Sequence, residues 1–167
     1  YPDIADIVAS LRKGGVIVYP TDTIWGIGCD AMNVAAIHRV YELKERAADK
    51  PLIVLVSDLE MLHKYAENIH PRIESLLFYH EKPLTVIYKK VKELPEVLQG
   101  KKGSVAIRIV KDEYCQNFIR EFGRPIVSTS VNKSGEAAPV HFAEISYDML
   151  DEVDYISQYR RNEIFEA

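Results

Sequence analysis

Short, unbroken runs of β-favouring residues constrain the fold of this 167-residue chain most strongly. Residues 16–19 (VIVY) end at Pro20, and residues 53–56 (IVLV) form a second run of the same kind. Continuous apolar runs of this length are typical of strands that are buried on both faces of a sheet. A stretch with helical spacing, residues 4–11, precedes the first run, and others follow. The alternation predicts a single α/β domain over residues 1–167, with a largely buried mixed sheet flanked by helices.

The other predicted elements follow from apolar spacing and from residues that begin or end helices. Asn33 can cap a helix that runs to about Lys44, and Pro71 suits the first position of another helix. Ser57, with Glu60 three positions later, has the pattern of a capping box. The further predicted helices cover residues 58–66, 71–80, 112–122 and 142–150, and the further predicted strands cover residues 84–90, 104–110, 125–127 and 153–156.

The composition excludes several classes of protein. No apolar run approaches the roughly 20 residues of a membrane helix, and Cys29 and Cys115 are too few for a disulfide scaffold. The histidines have no ligand spacing with cysteine or carboxylate residues, so no metal site is predicted. The motifs GxxxxGK(S/T) and GxSxG are absent, which argues against a P-loop ATPase and an α/β-hydrolase. These observations predict a cytoplasmic protein without a membrane segment.

Residues 26–31 match the loose dinucleotide-binding form GxGxxA. A dinucleotide site needs a helix that begins within the motif, but the best helix cap is Asn33, which follows it. Asp30 would also bring a carboxylate close to the pyrophosphate. The dinucleotide interpretation is therefore not favoured.

Three polar clusters lie next to predicted strands, where an open α/β sheet usually binds its ligand. Residues 21–23 (TDT) follow the first strand, and residues 128–132 (STSVN) follow a later one. Lys44, Arg46 and Lys50 lie between a helix and the second strand. Together these clusters supply the cations and hydroxyl groups that hold a polyphosphate. The alternative is structural, since hydroxyl-rich turns are common and basic residues complement the end of a helix.

A basic segment lies within this acidic chain. Residues 82–111 contain seven Lys and one Arg against Glu93 and Glu96, a local net charge of +6. The formal net charge of the chain is −4, so the remainder carries −10. Such a segment can bind a phosphate backbone, or it can keep an edge strand soluble.

Five short motifs occur in order along the chain. They are YPTDTIWGIGCD at residues 19–30, LKER at 43–46 with KPL at 50–52, PLT at 83–85, VAIR at 105–108 and STSVNKSG at 128–135. Together they resemble the motifs of the YrdC-like domain, the threonylcarbamoyl-AMP synthase family. The resemblance covers about residues 13–155. It implies an open, twisted α/β domain with a positively lined concave cleft, and it implies that the family's closing C-terminal segment is absent.

The resemblance also implies a reaction, in which L-threonine, bicarbonate and ATP give threonylcarbamoyl-AMP and pyrophosphate. This product leads to threonylcarbamoyladenosine in tRNA. The implied partners are therefore the three substrates and tRNA, which is met directly or through downstream threonylcarbamoyl-transfer proteins. ATP would carry Mg²⁺ on its triphosphate, with few protein ligands for the ion.

The family pattern implies a role for each matching residue. The catalytic tetrad would be Lys44, Arg46, Ser130 and Asn132. The ATP-binding residues would be Arg46, Lys50, Thr85, Arg108, Ser130 and Asn132. The threonine-binding residues would be Thr21, Thr23 and Lys89. The chain departs from the pattern at Ala47, Leu55, residues 81–83 and Val110, and none of these departures removes the tetrad.

Two related functions are alternatives to the synthase. One is a YciO-type paralogue that binds double-stranded RNA or a nucleotide without synthase activity. Such paralogues are expected to lack the Lys and the Asn of the tetrad, and this chain has both Lys44 and Asn132. The other is a carbamoyl-transfer domain of hydrogenase maturation, which would come with zinc-finger cysteines that this chain does not have.

Overall fold

The computed structural model describes residues 3–21, 24–45, 52–133, 135–159 and 161. Within these residues, one sheet contains the strands β1 (Ile17–Pro20), β2 (Trp25–Asp30), β3 (Ile53–Val56), β4 (Thr85–Tyr88), β5 (Val105–Ile109), β6 (Ile126–Ser130) and β7 (Tyr155–Ile156). The α-helices are α1 (Ile4–Arg12), α2 (Val34–Lys44), α3 (Leu59–Tyr65), α4 (Pro71–Tyr79), α5 (Glu113–Phe122) and α6 (Tyr147–Glu152). Short 3-10 turns cover Glu96–Leu98, Lys101–Gly103 and Phe142–Glu144.

The strands lie in the order β4-β5-β3-β6-β2-β1-β7. Two neighbouring pairs, β3 with β5 and β1 with β7, are parallel, and the other pairs are antiparallel. The predicted mixed sheet with flanking helices is therefore confirmed. The described helices include none with the length and apolar character needed to cross a membrane.

Strand β2 is absent from the sequence prediction. It forms a hairpin with β1, in which Pro20 pairs with Trp25 and Ile17 pairs with Gly28. Glycine is depleted in strands, so residues 26–28 (GIG) do not have the pattern of a strand. A Cβ atom at Gly28 would lie 2.2 Å from the carbonyl oxygen of Val127 on β6, so the strands approach closely only because this residue lacks a side chain. No helix begins in this motif, which agrees with the rejection of a dinucleotide site.

Several helix ends follow the predicted signals, whereas the start of α3 does not. Asn33 caps α2, Pro71 is the first residue of α4, and Gly123 ends α5 in the left-handed conformation at φ 83°. The predicted capping role of Ser57 is wrong, because the Asp58 carboxylate accepts the backbone N–H of the first turn of α3 at 2.8 Å. Ser57 is buried at the end of β3 and donates to Asp58 instead.

Two other boundaries differ from the prediction. Strand β6 continues to Ser130, because its pairing with β2 extends as far as Gly26. The predicted helix over residues 142–150 is divided, since the side chain of Ser146 accepts the N–H of Asp148 and begins α6 as a separate helix.

The buried carboxylate of Asp3 joins the two ends of the described chain. It accepts hydrogen bonds from the hydroxyl groups of Tyr114, Tyr155 and Ser157 at 2.8, 3.1 and 3.0 Å, and from the backbone N–H of Gln158 at 2.9 Å. Burial disfavours the ionised carboxylate, but these bonds outweigh burial and lower the pKa of Asp3 below its usual value. The network fastens α1 to α5 and to the segment that follows β7.

Candidate active site

A cavity of about 300 Å³ lies across the middle of the sheet. Its lining is formed by Thr21, Ile24, Gly26, Leu52, Ile53, Leu55, Arg108, Val110, Asp112, Cys115, Ser128, Thr129 and Ser130. The register explains this set, because directly paired residues project from the same face of a sheet. Gly26 pairs with Ser130, Ile53 with Ser128, and Leu55 with Arg108. Four adjacent strands, β2, β6, β3 and β5, thus contribute residues to the lining of one cavity.

Lys44 at the end of α2 is bound to the end of β6. Its side chain is only 3% exposed, and its ammonium group donates to the Ser130 carbonyl at 2.8 Å and approaches Ser130 Oγ at 3.4 Å. Glu45 leaves the helix in a left-handed conformation and forms an ion pair with Lys133 at 3.4 Å. The contacts of Lys44 with Ser130 place a buried positive charge beside a hydroxyl group of the cavity lining.

Asn132 follows the last residue pair of β6. Its Nδ2 donates to the carbonyl groups of Lys133 and Glu136 at 2.9 and 2.8 Å, so the amide orientation is determined by the surrounding loop. Its Oδ1 is buried and accepts no hydrogen bond from any residue that the structure describes. Because buried polar atoms are nearly always satisfied, this oxygen is a candidate acceptor for a ligand or for one of the residues outside the described ranges.

Arg108 and Thr85 form one unit at the edge of the cavity. The two residues are direct cross-strand partners, and Arg108 Nε donates to Thr85 Oγ1 at 2.8 Å. Only Arg108 belongs to the lining, so Thr85 acts by orienting the guanidinium group. A guanidinium held in this way presents its remaining N–H groups as a fixed fork, which suits a phosphate.

The two threonine-binding candidates that the structure describes, Thr21 and Lys89, lie in different depressions. Thr21 lines the cavity, and its hydroxyl donates to the carbonyl of Ile24 at 2.6 Å. Lys89 does not line the cavity. Thr85 begins β4, whereas Lys89 follows the end of that strand and lines a separate depression with Glu67 and neighbouring residues. Arg46, Lys50 and Thr23 lie outside the described residues.

Ser128 and Tyr19 belong to the site although no individual role was predicted for either. The buried Tyr19 hydroxyl donates to Ser128 Oγ, and Ser128 pairs with Gly28 and Ile53 in the centre of the sheet. Burial raises the pKa of Tyr19, so this hydroxyl stays protonated and keeps its donor role. Ser128 can then direct its own proton toward the cavity. The hydroxyl-rich run at residues 128–132 is the signal in the sequence for this part of the site, although the strand was predicted to end at residue 127 and β6 includes residues 128–130.

The described lining of the cavity has few charged side chains, and the predicted cations Arg46 and Lys50 lie outside the described residues. Arg108 and Asp112 are its charged members, and Lys44 lies directly behind Ser130. Asp112 also caps α5, where it accepts the N–H of Cys115 at 3.1 Å. Hydroxyl groups, one guanidinium and one ammonium can bind and align an anionic substrate, which is the requirement for a transfer at phosphorus.

The chain is similar to known proteins of one family over most of its length. The Sua5/YciO/YrdC family model, which carries the description "Telomere recombination", matches residues 9–165. The threonylcarbamoyl-AMP synthase of Idiomarina loihiensis is 32% identical over 157 residues, which cover 92% of this chain and 84% of that protein.

Two solved structures extend the comparison. The structure of Pyrococcus abyssi Sua5 with L-threonine is similar with a TM-score of 0.85 and 30% identity over 92% of this chain. This chain spans only 45% of that protein's length. The E. coli YciO structure has a TM-score of 0.79 and 28% identity, and the match covers 92% of this chain and 75% of YciO. The chain therefore belongs to the Sua5/YciO/YrdC family.

Proposed function

We propose that this protein is a threonylcarbamoyl-AMP synthase, which converts L-threonine, bicarbonate and ATP into threonylcarbamoyl-AMP and pyrophosphate. The observation that carries the proposal is the contact between Lys44 and Ser130, which are 86 residues apart in the chain. Each belongs to one half of the family's tetrad, and Asn132 follows with its buried Oδ1. The presence of Lys44 and Asn132 disfavours the YciO-type alternative. The synthase activity of the bacterial relatives supports the same conclusion.

The proposed chemistry needs alignment and charge stabilisation more than a strong base. The amine of L-threonine first combines with bicarbonate to give a carbamate and water. A carbamate oxygen then forms a bond to the α-phosphorus of ATP, and the bond to pyrophosphate breaks. Lys44 and Arg108 would stabilise the negative charge that develops on the phosphate oxygens, and Ser130 would help to orient them.

The remaining assignments combine position in the cavity, for Thr21 and Arg108, with the family pattern, for Thr23, Arg46 and Lys50. Thr21, with Thr23 beside it in the sequence, would contact L-threonine. Arg46 and Lys50 would bind the nucleotide together with Arg108, and Mg²⁺ would enter on the triphosphate as part of the substrate. Lys89 lines a separate depression and not the cavity, which does not support a threonine-binding role. We place the protein in the cytoplasm, where its product would pass to tRNA through threonylcarbamoyl-transfer proteins.

Substitution of Lys44 tests the proposal. Lys44→Met keeps the aliphatic stem but removes the ammonium group, so L-threonine-dependent release of pyrophosphate should fall at least about 100-fold. The matched control is Lys13→Met, which removes an exposed ammonium group at the end of α1. Full activity in folded Lys44→Met would contradict the proposed role.

A further inference from the structure

Trp25, the single tryptophan of the chain, connects two loops beside the cavity. It is fully buried at the start of β2. Its backbone N–H donates to the Pro139 carbonyl at 3.4 Å, and its carbonyl accepts the N–H of Val131 at 3.2 Å. Ile24, directly before it, accepts the N–H of Thr21 at 3.0 Å. Trp25 therefore joins the turn that carries Thr21 to both ends of the segment that carries Asn132.

Trp25, Phe142 and Arg161 form a stack of three side chains. The ring of Phe142 lies 5.0 Å from that of Trp25 in a tilted arrangement, and the guanidinium carbon of Arg161 lies 4.9 Å from the centre of the Phe142 ring. Arg161 is itself held by the chain after β7, because it donates to the carbonyl groups of Ser157 and Ile156 at 2.8 and 3.0 Å. The stack thus fastens the cavity loops to the last strand of the sheet.

We propose that Phe142 and Arg161 are positioning residues, which act through Trp25 to hold Thr21 and Asn132 in the geometry that binds the amino-acid substrate. The inference rests on the proposed synthase function. Neither residue is among the described residues that line the cavity, so their effect on catalysis would be indirect. An aromatic ring between a second ring and a cation is favoured by both neighbours, so its loss loosens both contacts.

The geometry also explains why the stack affects binding and not only stability. Two backbone bonds of Trp25 hold the ends of the 131–139 segment against the sheet, and Phe142 lies three residues after Pro139. We therefore expect a change at Phe142 to shift the 131–139 segment relative to the turn that carries Thr21. Small displacements of groups that align a substrate have large effects on rate.

Two of the test variants each remove one group of the stack, and a third keeps the aromatic ring. Phe142→Leu keeps apolar volume without the ring, Arg161→Met removes the cation, and Phe142→Tyr restores the ring. The matched control is Arg12→Met, because Arg12 also lies over an aromatic ring, Phe122, at 5.5 Å and also donates to a backbone carbonyl. Steady-state pyrophosphate release gives KM for L-threonine and kcat, and Trp25 fluorescence during an L-threonine titration with ATP present gives the affinity independently.

Phe142→Leu and Arg161→Met should raise KM for L-threonine about tenfold with a smaller change in kcat, and the fluorescence titration should shift by a similar factor. Phe142→Tyr and Arg12→Met should remain close to the wild type. Unchanged KM and affinity in both stack variants, or a loss that only follows the loss of folded protein, would overturn the inference. No threonine-dependent turnover in the wild type would instead contradict the proposed function.

Discussion

Gly28 is the residue at which a single added carbon should be most harmful to the sheet. Gly28→Ala would place Cβ 2.2 Å from the Val127 carbonyl oxygen, and backbone atoms cannot move aside as a flexible side chain can. We expect the free energy of unfolding to fall by about 3 kcal/mol, as overpacking of a core predicts. Urea denaturation followed by circular dichroism measures this change.

Gly135→Ala provides the comparison for Gly28→Ala. Gly135 has φ 90°, and none of the described atoms lies within 4 Å of an added Cβ, so only backbone strain of about 1 to 2 kcal/mol is expected. Equal destabilisation by the two substitutions would contradict the close approach of β2 to β6.

Some residues of the site could be predicted from the sequence, and others could not. Lys44, Ser130 and Asn132 could be proposed because their motifs are short and contiguous. The role of Thr85 in orienting Arg108, and the bond from Tyr19 to Ser128, depend on strand register between distant segments. Register is fixed by tertiary pairing, which no single segment contains.

At the level of elements, sequence patterns identified buried strands and capped helices well, and they failed where pairing overrides propensity. Strands β1 and β3 have continuous apolar runs, so they could be predicted. Strand β2 could not be predicted, because glycine is rare in strands. Glycine is needed there because β6 and the ring of Tyr19 lie too close to leave room for a side chain. The same pairing extends β6 from the predicted end at residue 127 through Ser130, so residues 128–130 line the cavity as part of a strand.

The Asp3 network should make the attachment of α1 dependent on pH. The lowered pKa means that the folded state favours the carboxylate, so its contribution is present above the usual Asp value of 3.8 and is lost as pH falls through the lower folded-state value. Asp3→Ala should therefore destabilise the protein by about 2 to 4 kcal/mol at neutral pH and by less in acid. Thermal unfolding at several pH values measures the difference.

Asp6→Ala is the control for this prediction, because Asp6 is exposed in the first turn of the same helix. It should change stability by less than about 1 kcal/mol, through the helix dipole alone. A destabilisation by Asp3→Ala that does not diminish in acid would show that the carboxylate charge is not what holds the chain ends together.

At the level of the whole molecule, the net charge of −4 is a poor guide to function. The basic segment over residues 82–111 is partly used within the fold, since Arg108 is bound to Thr85 and Lys111 donates to the Leu77 carbonyl at 2.8 Å. Binding of double-stranded RNA by this segment stays a prediction. The total charge therefore does not indicate whether a nucleotide or tRNA can bind.

Pyrophosphate release with each substrate omitted in turn tests the proposed synthase activity most directly. We expect release only when ATP, L-threonine and bicarbonate are all present, with label from isotopic bicarbonate in an adenylate detected by mass spectrometry. Pyrophosphate release that is independent of L-threonine, or an adenylate without the label, would contradict the account.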